Sequence, residues 1–242
     1  NGLTFVATPD PAYIQIAGNI AEAMYTSLPT TSNGDLVVNS AVKISLELIT
    51  RASSVVIGPG LGNDTSTAEF LYKILENVPD NKPLVLDADA LNMLSKSHLW
   101  WQRFSINAAL TPHPGELSRL MKISISEIQS NRIETATEAA RMFNKVVILK
   151  GAATVIASPD GRSTVSPWTN AGLAQGGSGD ALAGLLGGLL AQSPSNIFEM
   201  ATLSVYIHGY AAEKARKKFG ETGMRITDII RNLGLFHRDI SQ

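Results

Sequence analysis

Short apolar runs alternating with longer stretches of helical periodicity constrain this chain more than any other feature. The runs cover residues 3–7, 54–57, 84–86, 108–110 and 146–149. Each is too short for a core helix, and most are apolar on both alternating faces, as strands buried on both sides of a parallel sheet must be. Helical patterns lie between them. Residues 40–51 place Ile44, Leu48 and Ile49 on one face. Residues 65–78 follow the candidate caps Asn63 and Asp64. Residues 126–143 open on Ser124-Ile125-Ser126-Glu127, a capping box. This order predicts an α/β domain, mostly parallel, with helices on both faces of the sheet. Residues 154–157 and 163–165, joined by Ser158-Pro159-Asp160-Gly161, read as a β-hairpin. Beyond Gly179 the pattern is helical, over 179–192, 196–219 and 226–235.

Composition narrows the function classes. The net charge is −1, so no strong field favours nucleic acid or an anionic membrane. No run approaches the ~20 apolar residues that span a bilayer. There is no cysteine, which rules out disulfides, thiol nucleophiles and thiolate metal sites and fits a reducing, cytoplasmic setting. No linker or repeat interrupts residues 1–242, so one domain is expected. The Trp100-Trp101 pair and the helix over 196–219 suit either a homo-oligomer interface or the surface and core of a monomer.

In open α/β sheets ligands bind beyond the carboxyl ends of the strands, so the residues after each run matter most. Gly58-Pro59-Gly60-Leu61-Gly62 lets a ligand approach the backbone, or simply turns the chain. In Asp87-Ala88-Asp89, Asp87 reads as lining a site and Asp89 as capping a helix. Thr111-Pro112-His113-Pro114-Gly115-Glu116 holds a histidine in a stiff, exposed turn. His208, on an apolar helical pattern, reads as a satisfied core or interface histidine. No pair of histidines has metal-ligand spacing, so no direct metal site is expected.

The densest motif runs from Asn170 to Asp180: Asn-Ala-Gly-Leu-Ala-Gln-Gly-Gly-Ser-Gly-Asp. It resembles a Walker loop in glycine spacing but lacks the following Lys-Ser/Thr. The reading is an anion hole at a helix N-terminus, built from the amides of Gly177, Ser178 and Gly179. Asp180 is then the base toward an attacking hydroxyl. A carboxylate stabilised by a helix N-terminus is a weak base, sufficient for a loose phosphoryl-transfer transition state. Lys150-Gly151-Ala152-Ala153-Thr154 and the hairpin behind it are candidate walls for a nucleotide.

Taken in order, these pieces resemble the NAD(P)H-hydrate dehydratases of the ribokinase-like superfamily, over essentially the whole chain; Gly223-Met224-Arg225-Ile226-Thr227-Asp228-Ile229 resembles the start of that family's closing helix. The resemblance implies a ribokinase-like three-layer sandwich. It implies repair of hydrated NADH or NADPH (NADHX, NADPHX) by phosphorylation of the added hydroxyl, followed by loss of phosphate. The donor would be ADP, or ATP, with Mg²⁺; the His-Pro-Gly-Glu form resembles the branch that uses ADP. Asp180 would activate the hydroxyl. Gly60, His113 and Asp180 would contact the hydrate, and Lys150, Gly151, Ala152, Ala153, Thr154 and Gly179 the nucleotide. Gly62, Asp87, Glu116 and Asn170 are further candidates. The family places a first strand, a glycine-containing loop and a helix before the segment resembling residues 2–9, so a domain lacking its first βα unit is expected. The resemblance does not extend to the epimerase domain fused to some relatives. Two other readings share the same site: a kinase of a small vitamin-precursor alcohol, and a shortened, non-catalytic nucleotide-binding protein.

Overall fold

A run of apolar residues dictates a strand but not its partner, and the first run shows this. The structure, a computed structural model, describes residues 2–240. Strand β1 (Thr4–Pro9), helix α1 (Asp10–Ile16) and strand β2 (Ala23–Leu28) form a small unit. Its two strands pair in parallel with each other in a separate two-stranded sheet. The run at 3–7 is therefore a strand, but a half-exposed one outside the main sheet.

The main sheet has six strands in sequence order. Helix α2 (Val38–Arg51) leads into β3 (Val55–Ile57), α3 (Thr65–Asn77) into β4 (Pro83–Leu86), and α4 (Asp89–Leu94) with α5 (Trp100–Arg103) into β5 (Asn107–Leu110). Helices α6 (Pro114–Met121), α7 (Ile125–Ser130) and α8 (Arg132–Phe143) lead into β6 (Val146–Leu149). Strands β3 to β6 are parallel, and the hairpin β7 (Val155–Ala157) and β8 (Ser163–Val165) adds two antiparallel strands.

Alternation along the buried strands builds two cores. Leu84, Leu86, Leu110 and Leu149 face one way, against α2 to α8, with Trp100 and Phe143 in the same cluster. Val85, Ala109 and Ile148 face the other way, against α9 (Ser178–Leu190) and α10 (Ile197–Phe219). Parallel strands stepping one place at a time with crossovers of one hand put every crossover helix on one face. The C-terminal helices must then cover the other face. The chain closes with α11 (Ile226–Leu233) and α12 (Leu235–Ile240). The three-layer arrangement matches the expectation, and Trp100 is core, 1% exposed. Among the described residues no helix is long and apolar enough to cross a membrane.

One expected helix is two. The pattern over 126–143 breaks at Asn131, whose φ of −137° and ψ of 50° are not helical. Ser124 does cap the first piece, accepting from the Glu127 amide at 3.1 Å.

Candidate functional site

Four strand ends and one helix start converge. The chain leaves β3 at Gly58, β4 at Asp87, β5 at Thr111 and β6 at Lys150. The start of α9 arrives among them: a Cβ built on Gly179 would lie 3.2 Å from the Lys150 Nζ and 3.6 Å from an Asp87 oxygen. A Cβ at 179 would sit against that ion pair, and glycine keeps the helix start close to it without displacing the Lys150 ammonium.

Lys150, expected on the nucleotide side, is mostly buried and paired. Its ammonium donates to Asp87 Oδ1 at 2.7 Å and lies 3.8 Å from Glu116 Oε2. Asp87 is 1% exposed and Glu116 5%. One cation thus holds two buried carboxylates delivered by neighbouring strands, which is how buried charge is tolerated.

The proline-flanked turn is the first turn of α6. His113 is its N-cap, with Nδ1 accepting from the amides of Gly115 at 3.0 Å and Glu116 at 3.4 Å. Glu116 returns the bond, accepting from the His113 amide at 2.8 Å. An Nδ1 that accepts must be unprotonated, so neutral His113 carries its hydrogen on Nε2. Burial is the largest influence on the ring and lowers its pKa; Glu116 opposes this, while Lys150 and Arg119 add to it. The half-exposed ring therefore carries its N–H on Nε2, 3.5 Å from Glu116 Oε1 and still reachable from solvent.

The glycine corner after β3 is held from two sides. Gly58 has φ +128°, and a Cβ there would overlap the Asp87 carbonyl oxygen. Asp89 does not cap α4. Its carboxylate accepts from the Gly62 amide at 2.9 Å and the Asn63 side chain at 2.7 Å, and so ties the corner to β4. Gly60 has φ +67° with nothing near its Cβ position, which leaves its backbone open to a ligand.

At the other side, Gly177 caps α9 with φ +84°. The first internal bond of the helix runs from the Ala181 amide to the Gly177 carbonyl at 2.9 Å. Of the three amides expected to form the anion hole, that of Ser178 is already donated, to the Gln175 carbonyl at 3.3 Å. Turn geometry accounts for this: the tight bend that presents Gly179 folds Ser178 back on the loop. Among the described residues the amides of Gly177, Gly179 and Asp180 have no acceptor, so two of the three expected amides stay open and that of Asp180 joins them. The Asp180 side chain is exposed and makes no hydrogen bond among the described residues. Asn170 accepts from the Gly172 amide at 2.9 Å, capping a short turn over Ala171–Leu173, while its buried Nδ2 has no partner among the described residues.

The segment Lys150–Thr154 is a strained loop, with φ +145° at Gly151 and +53° at Ala153. Thr154 Oγ1 donates to the Gly151 carbonyl at 2.9 Å, and the Ala153 amide to the Trp168 carbonyl at 3.3 Å. Ala152 is exposed. Sequence reasoning missed Arg132, which holds this loop from behind. Its Nη2 donates to the Leu149 carbonyl at 3.0 Å and to the Lys150 carbonyl at 3.3 Å. One signal was present: a cation in the first turn of a helix opposes the helix dipole, so a specific partner is needed. His208 is buried as expected, but its Nε2 has no partner among the described residues.

The site can therefore present amides to an oxyanion, a free carboxylate to a hydroxyl, and a neutral imidazole N–H to a polar substrate. Among the described residues no three His, Asp or Glu side chains form a metal cage.

A model of the NAD(P)H-hydrate dehydratase family matches residues 1–234. The bifunctional NAD(P)H-hydrate repair enzyme of Moorella thermoacetica is 36% identical over 241 residues, covering 100% of this chain and 45% of that protein. The ADP-dependent (S)-NAD(P)H-hydrate dehydratase of Neisseria meningitidis is 41% identical over 167 residues, covering 68% of this chain and 56% of that one. The chain thus spans about half the length of such relatives. Among solved structures, the ADP/ATP-dependent NAD(P)H-hydrate dehydratase of Bacillus subtilis, co-crystallised with ATP and Mg²⁺, aligns with TM-score 0.78 at 27% identity, over 98% of this chain and 81% of that one. A hydroxyethylthiazole kinase from Pyrococcus horikoshii, at TM-score 0.65 and 19% identity, shares the fold.

Proposed function

We propose that this chain, which belongs to the NAD(P)H-hydrate dehydratase family, restores NADH or NADPH from the (6S) hydrate by ADP-dependent dehydration. The observation that carries the reading is the meeting of the α9 start, free Asp180 and the His113 turn at one end of the sheet.

The added ring hydroxyl attacks the terminal phosphorus of ADP. A new O–P bond forms, the bond to AMP breaks, and Asp180 takes the hydroxyl proton. The free amides of Gly177, Gly179 and Asp180 stabilise the charge on the migrating phosphoryl group, a role in which losing one donor typically costs ~10²–10³ in rate. The ring nitrogen then expels phosphate, and loss of a proton from the adjacent carbon restores the double bond. Products are NAD(P)H, AMP and phosphate. Gly60 and neutral His113 hold the hydrate. Lys150, Gly151, Ala152, Ala153 and Thr154 line the nucleotide side, where Lys150 acts as the fixed link between loop and carboxylates. Mg²⁺ arriving on the nucleotide phosphates would neutralise their charge, as that ion commonly does; Asp87 and Glu116 are the buried carboxylates nearest the Lys150 ammonium.

The test is Asp180→Asn, assayed with hydrate and ADP by NAD(P)H absorbance and phosphate release. Turnover is expected to fall by ~10²–10⁴, the usual worth of a general base, with the circular dichroism spectrum unchanged. Retained turnover removes Asp180 from the mechanism. Phosphate kept on an organic product instead of released identifies a kinase.

A further inference from the structure

A guanidinium without a counter-ion stands beside the His113 turn. Arg119 lies in the last turn of α6, nearly two turns beyond the N-cap, and is exposed. Its Nε donates to Asn92 Oδ1 on α4 at 3.0 Å. Its Nη1 lies 3.7 Å from the Cβ position of Gly115. Among the described residues no carboxylate lies within ion-pair distance of it. The neighbouring cation, Lys150, is already committed to Asp87 and Glu116. Arg119 is thus a fixed fork: one edge is clamped by the Asn92 side-chain oxygen, and the Nη donors have no acceptor among the described residues. Holding a long side chain this way restricts rotamer freedom before any ligand arrives, which suits planar recognition of an oxyanion.

We infer that Arg119 grips a phosphate group of the dinucleotide hydrate and so sets affinity for that substrate. The inference rests on the substrate class proposed above. The donor nucleotide belongs to the Lys150–Thr154 loop and the α9 start. Arg119 shares its helix with His113, on the hydrate side. The hydrate carries two kinds of phosphate: the diphosphate common to both forms, and the 2′-phosphate of the NADPH form alone.

The test measures binding of (6S)-NADHX and (6S)-NADPHX without ADP, so that no turnover occurs, to the unaltered protein, Arg119→Met and Arg119→Lys. A lost charge-assisted hydrogen-bonded contact is expected to raise Kd about tenfold in Arg119→Met. A rise for both hydrates places the diphosphate in the fork, and a rise for NADPHX alone places the 2′-phosphate there. Arg119→Lys, which keeps the charge without the fork, is expected to recover only part of the loss. ADP affinity is expected to stay unchanged. Equal hydrate affinity in Arg119→Met and the unaltered protein overturns the inference, as does a loss confined to ADP. An unaltered protein that binds hydrate but releases no phosphate with ADP sinks the proposed reaction and leaves the grip standing. One that binds neither hydrate overturns the grip.

Discussion

At the scale of single residues, the Lys150 ammonium decides how the site is built. Asp87 and Glu116 are buried carboxylates, and neither would be tolerated there without a cation. Lys150 also sets the floor beneath Gly179, so its electrostatic and steric roles coincide. Removing one member of a buried pair commonly costs about 3–5 kcal/mol, because the other charge is stranded. The Lys150 side chain is 19% exposed, which places Lys150→Met toward the lower end of that range. Adding Asp87→Asn to Lys150→Met removes the stranded charge and is expected to restore part of the loss, a coupling of roughly 1–3 kcal/mol. Urea unfolding of the two single variants and the double variant measures it. Strict additivity would show that the pair contributes nothing as a pair.

At the scale of elements, the corner after β3 shows why glycine is required twice, for different reasons. Gly58 has positive φ and is pressed against the Asp87 carbonyl, whereas Gly60 has positive φ in open space. Gly58→Ala should therefore cost on the order of 3–4 kcal/mol through strain and displacement of β4's end. Gly60→Ala should cost only about 1 kcal/mol, the left-handed penalty. Thermal unfolding of the two variants tests the contrast, and equal losses would refute it. The glycines themselves were legible in the sequence, as were the buried strands and the helix behind the Gly-Ser-Gly-Asp motif. Their interactions were less so. The role of Asp89 in fixing Gly62 was not legible, because a carboxylate before a helix reads as a cap until a loop 27 positions earlier folds onto it. The position of β1 was not legible, because an apolar run carries no pairing information. The break at Asn131 was hidden by helical periodicity on both sides of it. Arg132, the first residue after the break, donates to the carbonyls of Leu149 and Lys150. The site's backbone chemistry was thus written locally, while its clamps (Asp89, Arg132, Asn92 with Arg119) depend on contacts distant in sequence.

At the scale of the whole molecule, acid reaches both faces of the sheet, by different groups. The α2 to α8 side meets it at helix caps, Asp64 of α3 and His113 of α6. On the other side, α10 buries His208, with Nε2 unpartnered among the described residues and Gly209 beside it packed against Trp168. Burial lowers the pKa of His208 from 6.5 to about 4. An unfolded chain binds this proton at pH 6, and the folded chain does not. Stability from the neutral ring is therefore complete above pH 6.5 and is lost as pH falls through 4. Within that window the slope approaches ~1.4 kcal/mol per pH unit, and the total is about 3 kcal/mol. His113 shifts in the same direction, so acid weakens the fold and the His113 cap together. Asp64, lowered from 3.8 to about 2, contributes stability that is complete above pH 3.8 and is lost only as pH falls toward 2, below the window of His208. Comparing unaltered protein with His208→Gln isolates the buried ring. Unfolding free energy measured between pH 7 and 4.5 should fall more steeply in the unaltered protein. Parallel curves would remove His208 as the source of the acid sensitivity and leave the His113 turn as the group to test.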